Sequence, residues 1–152
     1  MADTLQLPPL VALVLENGFI DDAQAQELVR QHIESGKPYK ELILDLDVLG
    51  EDDLLSLMAG SQGTDVVDLS NFTFDDTLKN LVPVASVRMH SIVPVEAESD
   101  HVTFATADLV ETDVIDELTF LLSREIRFVF ATEAQIKAAI DESFSGGDAS
   151  DA

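Results

Sequence analysis

The sequence predicts an α+β fold: a helical N-terminal subdomain of two repeated helical hairpins, then a small β-β-α-β-α mixed sheet with helices packed on it. Three observations lead there. LVLENGFIDDAQAQELV (13–29) aligns without gaps with LILDLDVLGEDDLLSLM (42–58), an offset of 42 − 13 = 29 residues. SIVPVEAE (91–98), HVTFATA (101–107) and EIRFVFA (125–131) are short runs rich in β-branched and aromatic residues, the signature of strands. Apolar residues at helical spacing lie between the second and third runs and after the third.

In chain order, the apolar run LVALVLENGF (10–19) reads as a helix closed by Asn17-Gly18, a good C-cap pair. Asp21 with Gln24 three residues on is a capping-box pattern and opens a second helix, with Ala25, Leu28, Val29 and Ile33 on its inner face and a stop at Ser35-Gly36. Pro38 begins a third helix with Leu42, Ile43 and Leu46 inward. Gly50-Glu51-Asp52-Asp53 opens a fourth, with Leu54, Leu57 and Met58 inward, ending near Gly60–Gly63. Leu13 matches Leu42, Val14 matches Ile43, Ile20 matches Leu49 and Leu28 matches Leu57. A helical hairpin of this size cannot bury its face alone, so the two copies should pack together.

The second half changes character. VVDLS (66–70) reads as a short strand or an extended connector. Asp75-Asp76-Thr77 starts a short helix that Pro83 limits, and Val84–His90 forms another helical turn or two. Only Ser99-Asp100 separates the first two strands, so they form a hairpin. Val114, Ile115, Leu118, Leu121 and Leu122 mark the next helix. Thr132 with Gln135 is a second capping-box pattern, ahead of a last helix with Ile136, Ala139 and Ile140 inward. The boundaries expected are 8–63 for the helical subdomain, 64–144 for the α/β subdomain and 145–152, SGGDASDA after Phe144, for a flexible tail or linker start.

With 152 residues and a hydrophobic fraction of 46%, the chain can build a core. Its formal net charge is −22, from 30 acids against 8 bases. A field of that size repels nucleic acid and anionic lipid and favours a basic protein partner. The chain has no Cys, which removes disulfides and thiolate chemistry. No stretch reaches the roughly 18 apolar residues of a membrane span, and MADTLQLPPL is acidic, unlike a signal peptide. A soluble cytoplasmic protein without membrane insertion is the expectation.

The acids in ADLVETDVIDEL (107–118) invite a catalytic reading, because carboxylates just past a strand often serve as metal ligands or general bases. Local structure accounts for each of them. Thr112-Asp113 sits where a helix begins, and orphan N–H groups and the positive dipole end favour an acceptor and a negative charge there. Asp116 and Glu117 fall on the outer face, and Asp108 accepts turn hydrogen bonds. His32, His90 and His101 lie on three separate elements without partners at ligand spacing. The sequence contains no G-x-x-x-x-G-K-[ST], G-x-G-x-x-G or G-x-S-x-G pattern. No catalytic residue, metal site or cofactor is therefore expected. Phe72 and Phe74 make either an exposed pair or a packed one under a loop.

The arrangement resembles the N-terminal domain of the type II secretion and type IV pilus assembly ATPases (the GspE/PilB group), including the form called MshEN. The resemblance spans roughly residues 8–144. It rests on Leu81-Val82-Pro83, Arg88, the stretch IVPVEAESDHVTFATAD (92–108), Ile115-Asp116-Glu117-Leu118 with Phe120-Leu121, and Phe128–Thr132 followed by Ile136 and Ile140. VVDLS fits as well; Leu109, where the family commonly has Pro, departs from it. In members that bind cyclic di-GMP, each helical copy begins Arg-Leu-Gly, carries a further Gly mid-motif and ends in Gln. Here those positions hold Pro9, Val11, Gly18 and His32 in the first copy, and Pro38, Lys40, Asp47 and Ser61 in the second. Loss of both guanidinium groups removes the bidentate grip on guanine and phosphate. Arg30, Lys37 and Lys40 are the remaining candidates for a cyclic di-GMP contact.

The resemblance implies a non-catalytic docking and regulatory domain that binds the cytoplasmic domain of an inner-membrane secretion or pilus platform protein. An ATPase domain in a longer chain would be its other neighbour. The alternatives are a cyclic di-GMP sensor and a free-standing adaptor.

Overall fold

The computed structural model describes residues 7–144. The expected tail at 145–152 and the first six residues lie outside them. The chain divides between Gln62 and Gly63 into two compact units.

The first unit contains α1 (Pro9–Glu16), α2 (Asp22–Ser35), α3 (Tyr39–Asp45) and α4 (Glu51–Gln62). Helix α1 packs on all three of the others, so the two hairpins do share one core. The internal repeat is visible in that core. Val14 and its counterpart Ile43 are fully buried, and the pairs Ile20 and Leu49, and Ala25 and Leu54, are buried as well. The Asp21 capping box forms as expected: the Asp21 carboxylate accepts from Gln24 N at 2.8 Å, and Asp21 N donates to the Gln24 side chain at 3.0 Å. Gly36 ends α2 in the left-handed conformation at φ 76°.

Four inward assignments change, the first being Val29, which is half-buried. Ile33 is 75% exposed, because the α2 stripe runs through Ala25 and Leu28 and its last turn carries position 33 out of it. In α4 the inner face is Leu54, Leu55, Met58 and Ala59, so Leu55 takes the place expected for Leu57, which is half-buried. Leu46 is half-buried at the C-cap of α3.

The turn between the two helices of each hairpin also repeats. Gly18 sits at φ 81° with its N–H on Leu15 O at 3.1 Å; Asp47 sits at φ 61° with its N–H on Leu44 O at 3.1 Å. The left-handed residue survives in the second copy although the glycine does not. An L side chain there costs backbone energy that glycine avoids. Asp47→Gly should therefore stabilise the first unit by about 0.5 kcal/mol, and Gly18→Ala should destabilise it by about 1 kcal/mol. A Cβ added at Gly18 meets nothing within 4 Å, so urea denaturation of that variant reads the backbone term alone.

The second unit contains α5 (Asp76–Lys79), α6 (Val84–His90), β1 (Ile92–Ala97), β2 (His101–Thr106), α7 (Thr112–Leu122), β3 (Glu125–Phe130) and α8 (Glu133–Ser143). The sheet order is β1-β2-β3. β1 and β2 form the expected antiparallel hairpin, closed by Glu98 N on His101 O at 2.8 Å, and β3 runs parallel to β2. Being central, β2 is buried almost throughout. Pro94, which has no N–H to give, stands on the outer strand beside a bulge that inserts Val95 between the pairs Pro94–Phe104 and Glu96–Thr103. VVDLS resolves as a bridge: Val66 pairs with Phe130, and Val67 N donates to Phe130 O at 2.7 Å.

Phe104, Val102, Val93, Leu118, Ile136 and Phe144 form the core of this unit. Phe74 is buried edge-to-face on Phe144, centroids 5.4 Å apart, while Phe72 stays half-exposed against Phe74. The pair is thus packed on one side only. Gln135 departs from its expected capping role. Thr132 Oγ1 accepts from Gln135 N at 3.2 Å, but the Gln135 side chain turns away to accept from Leu69 N at 3.0 Å and donate to Asp68 at 2.8 Å. The long-range bonds pin the 68–69 segment beside α8, which the local reciprocal bond would not do.

Candidate functional site

The first acid after β2, Asp108, serves the backbone. Asp108 Oδ1 accepts from Leu109 N at 2.7 Å, and the Thr106 hydroxyl donates to Asp108 O at 3.1 Å. Glu111 is the N-cap of α7 and makes no side-chain cap bond; Thr112 is the first helical residue. The expected acceptor at the helix start is therefore missing, and Asp113 in the first turn acts through the dipole alone. Asp116 and Glu117 face solvent as expected. Among the described residues no group of three or more His, Asp and Glu side chains is placed to hold a metal ion.

The three candidate cations are each engaged by carboxylates. Arg30 lies along α2 between Glu27 and Glu34: Nε donates to Glu27 at 3.0 Å, Nη2 also contacts Glu27, and Nη1 donates to Glu34 at 2.7 Å. Those bonds hold Glu27 below the usual carboxylate range and raise the guanidinium further above its own. Lys37 lies 3.9 Å from Asp45. Lys40 Nζ lies 3.2 Å from Glu51, with the lysine side chain 7% exposed. Lys40 stands at the repeat position of Val11 (40 − 11 = 29), one of the most buried residues of the unit. Its burial follows from that place in the repeat, and Glu51, one-third exposed, supplies the compensating charge. Arg30 is on the exposed side of α2 and Lys40 is turned inward, so these two do not present their charges on one face.

The histidines remain apart. His32 stacks on Tyr39 with ring centroids 4.1 Å apart and faces Lys37 O at 2.7 Å. The His90 ring lies 3.7 Å from Glu117, which brings the end of α6 against α7. His101 sits between Asp100 at 2.8 Å and Glu96 at 3.5 Å, and its bond holds the Asp100 carboxyl below its ordinary range. One feature of the surface was not foreseen: Phe120, named only among the residues that carry the family resemblance, is 89% exposed, and Leu121, expected inward, is 48% exposed. Leu121 lies at the border of the stripe centred on Leu118, in the last turn, where that stripe runs out of core to meet.

The model of the MshEN domain matches residues 62–150, and the chain belongs to that family. Over 133 residues, 88% of this chain, it is 22% identical to the type IV pilus assembly ATPase PilB of Myxococcus xanthus (strain DK1622). It spans 24%, about a quarter, of that protein's length. Among solved structures it is similar to MshE with cdg, at TM-score 0.74 and 23% identity, covering 90% of this chain and 99% of that one. It is also similar to the N-terminal domain of XpsE, at TM-score 0.64 and 20% identity, covering 87% and 91%. The resemblance to the N-terminal domains of secretion and pilus ATPases, and the α+β class, are borne out. No helix among the described residues is long and apolar enough to cross a membrane.

Proposed function

We propose that the chain is a non-catalytic docking and regulatory domain of a type II secretion or type IV pilus assembly ATPase, binding the cytoplasmic domain of an inner-membrane platform protein. One observation carries the reading: nearly the whole chain aligns with a quarter of a pilus assembly ATPase, as a domain of a larger motor would. The formal charge of −22 supports a basic partner, since opposite potentials steer encounter and suppress wrong pairings. ATP chemistry would reside elsewhere in such a motor, because this sequence has no phosphate-binding loop. Its place in the cell would be cytoplasmic.

A second reading is favoured by one observation, the similarity to a structure of MshE with cdg. On that reading the chain binds cyclic di-GMP through Arg30, Lys37 and Lys40. The carboxylate partners of all three cations weigh against it, because a ligand with two phosphodiesters would have to displace Glu27, Glu34, Asp45 and Glu51.

The two readings separate in one pair of measurements. The immobilised chain should retain the cytoplasmic domain of the platform protein at low salt and release most of it at high salt. Calorimetric titration with cyclic di-GMP should give no saturable heat. Absence of retention at either salt would count against docking, and saturable heat lost in Arg30→Ala or Lys37→Ala would establish the sensor.

A further inference from the structure

We propose that the solvent-facing side of α7 is the docking surface, and that its occupant is a basic protein segment with an apolar socket for Phe120. The inference rests on the docking reading for the partner's identity, and goes beyond it in placing the surface and stating the partner's chemistry.

On α7 the inward stripe is centred on Leu118. The opposite face, at helical spacing, presents Asp113, Asp116, Glu117 and Phe120, all exposed. An aromatic ring in the middle of a polar helix face has no folding role, because its apolar surface stays in water. At 89% exposure, Phe120 is a large side chain for which the fold offers no pocket. Leu121 beside it is half-exposed. The outer side of α7 thus carries apolar surface among acidic side chains.

That combination matches the anatomy of a protein interface: a rigid aromatic anchor at the centre, with charges around it that set register and speed of encounter. The rim decides the occupant. Asp113, Asp116 and Glu117 require lysines or arginines opposite them. A second copy of this chain would bring another −22 formal charge to the contact and is disfavoured. Nucleic acid and anionic lipid are repelled for the same reason.

The test uses the whole chain in three forms: wild type, Phe120→Ser, and the neutralised Asp113→Asn/Asp116→Asn/Glu117→Gln. All changes lie on the exposed face, and circular dichroism should show unchanged folding. Retention of the platform cytoplasmic domain should weaken at least tenfold in Phe120→Ser, and the neutralised form should show a weaker salt dependence than wild type. Equal retention by wild type and Phe120→Ser would overturn the proposed surface and leave the docking reading standing. If the wild type retains nothing, the docking reading fails, and titration with a synthetic amphipathic Leu/Lys helix decides the surface. Binding at least tenfold tighter to wild type than to Phe120→Ser then upholds it, and equal binding overturns it. A concentration-dependent dimer in sedimentation, abolished by Phe120→Ser, would also overturn it, since the occupant would then be a second copy.

Discussion

Phe104→Ala should destabilise the second unit by about 3–5 kcal/mol, the range for a fully buried phenylalanine whose site cannot collapse. Phe104 lies on the central strand, is completely buried and faces Phe128 with ring centroids 6.1 Å apart. Val102 on the same face of β2 and the cross-strand partners Pro94 and Phe128 are held by the pairings on either side of β2, so the cavity would stay open. Phe120→Ala is the matched control. That ring is mostly in water, and its loss should change stability by no more than about 0.5 kcal/mol. Chemical denaturation followed at the β2 amides by hydrogen exchange measures both. Equal effects would mean that α7 is turned the other way and that the docking surface is misplaced.

The second large effect concerns Lys40. Glu51→Gln should cost the first unit about 1–3 kcal/mol, less than a fully buried pair because the glutamate is one-third exposed. The loss comes from a buried ammonium that no longer has the Glu51 carboxylate beside it. Adding Lys40→Met to that background should recover most of it, since the equivalent place in the first copy is held by Val11 without any charge. A double-mutant cycle isolates the pair. Additive losses would show that Lys40 is supported mainly by its surroundings and that Glu51 is incidental. Recovery in the double variant would identify the lysine as a core residue of the repeat, which removes it from any ligand surface.

What the sequence disclosed was mostly local. The Asp21 capping box, the Ser99-Asp100 hairpin and the helical repeat follow from a few adjacent residues each, and all three formed. The repeat disclosed more than its alignment suggested. The left-handed turn persisted at Asp47 after the glycine was lost, because chain geometry at that point is set by the helices on either side. What stayed hidden depends on distant residues. Gln135 had the right spacing for a reciprocal cap, yet its side chain is taken by Asp68 and Leu69, more than sixty positions away. The same holds for the candidate site. Arg30, Lys37 and Lys40 looked available as a set of charges near two glycine-poor motifs. Glu27 and Glu34 stand at helical spacing from Arg30 and were legible, but only the folded arrangement places Glu51 against Lys40. Leu121 and Ile33 satisfy helical periodicity and still face water, because periodicity marks a stripe but not where the core beneath it ends.

On the proposed docking function, acidic residues shape helix and strand ends and attract a basic partner from a distance, while any bond-making lies outside this domain. Association kinetics with the platform cytoplasmic domain test that most directly. Between roughly 50 and 500 mM salt the association rate should fall at least tenfold while the dissociation rate stays nearly constant, as electrostatic steering requires. An association rate indifferent to salt, or no association at all beside saturable binding of cyclic di-GMP, would contradict it.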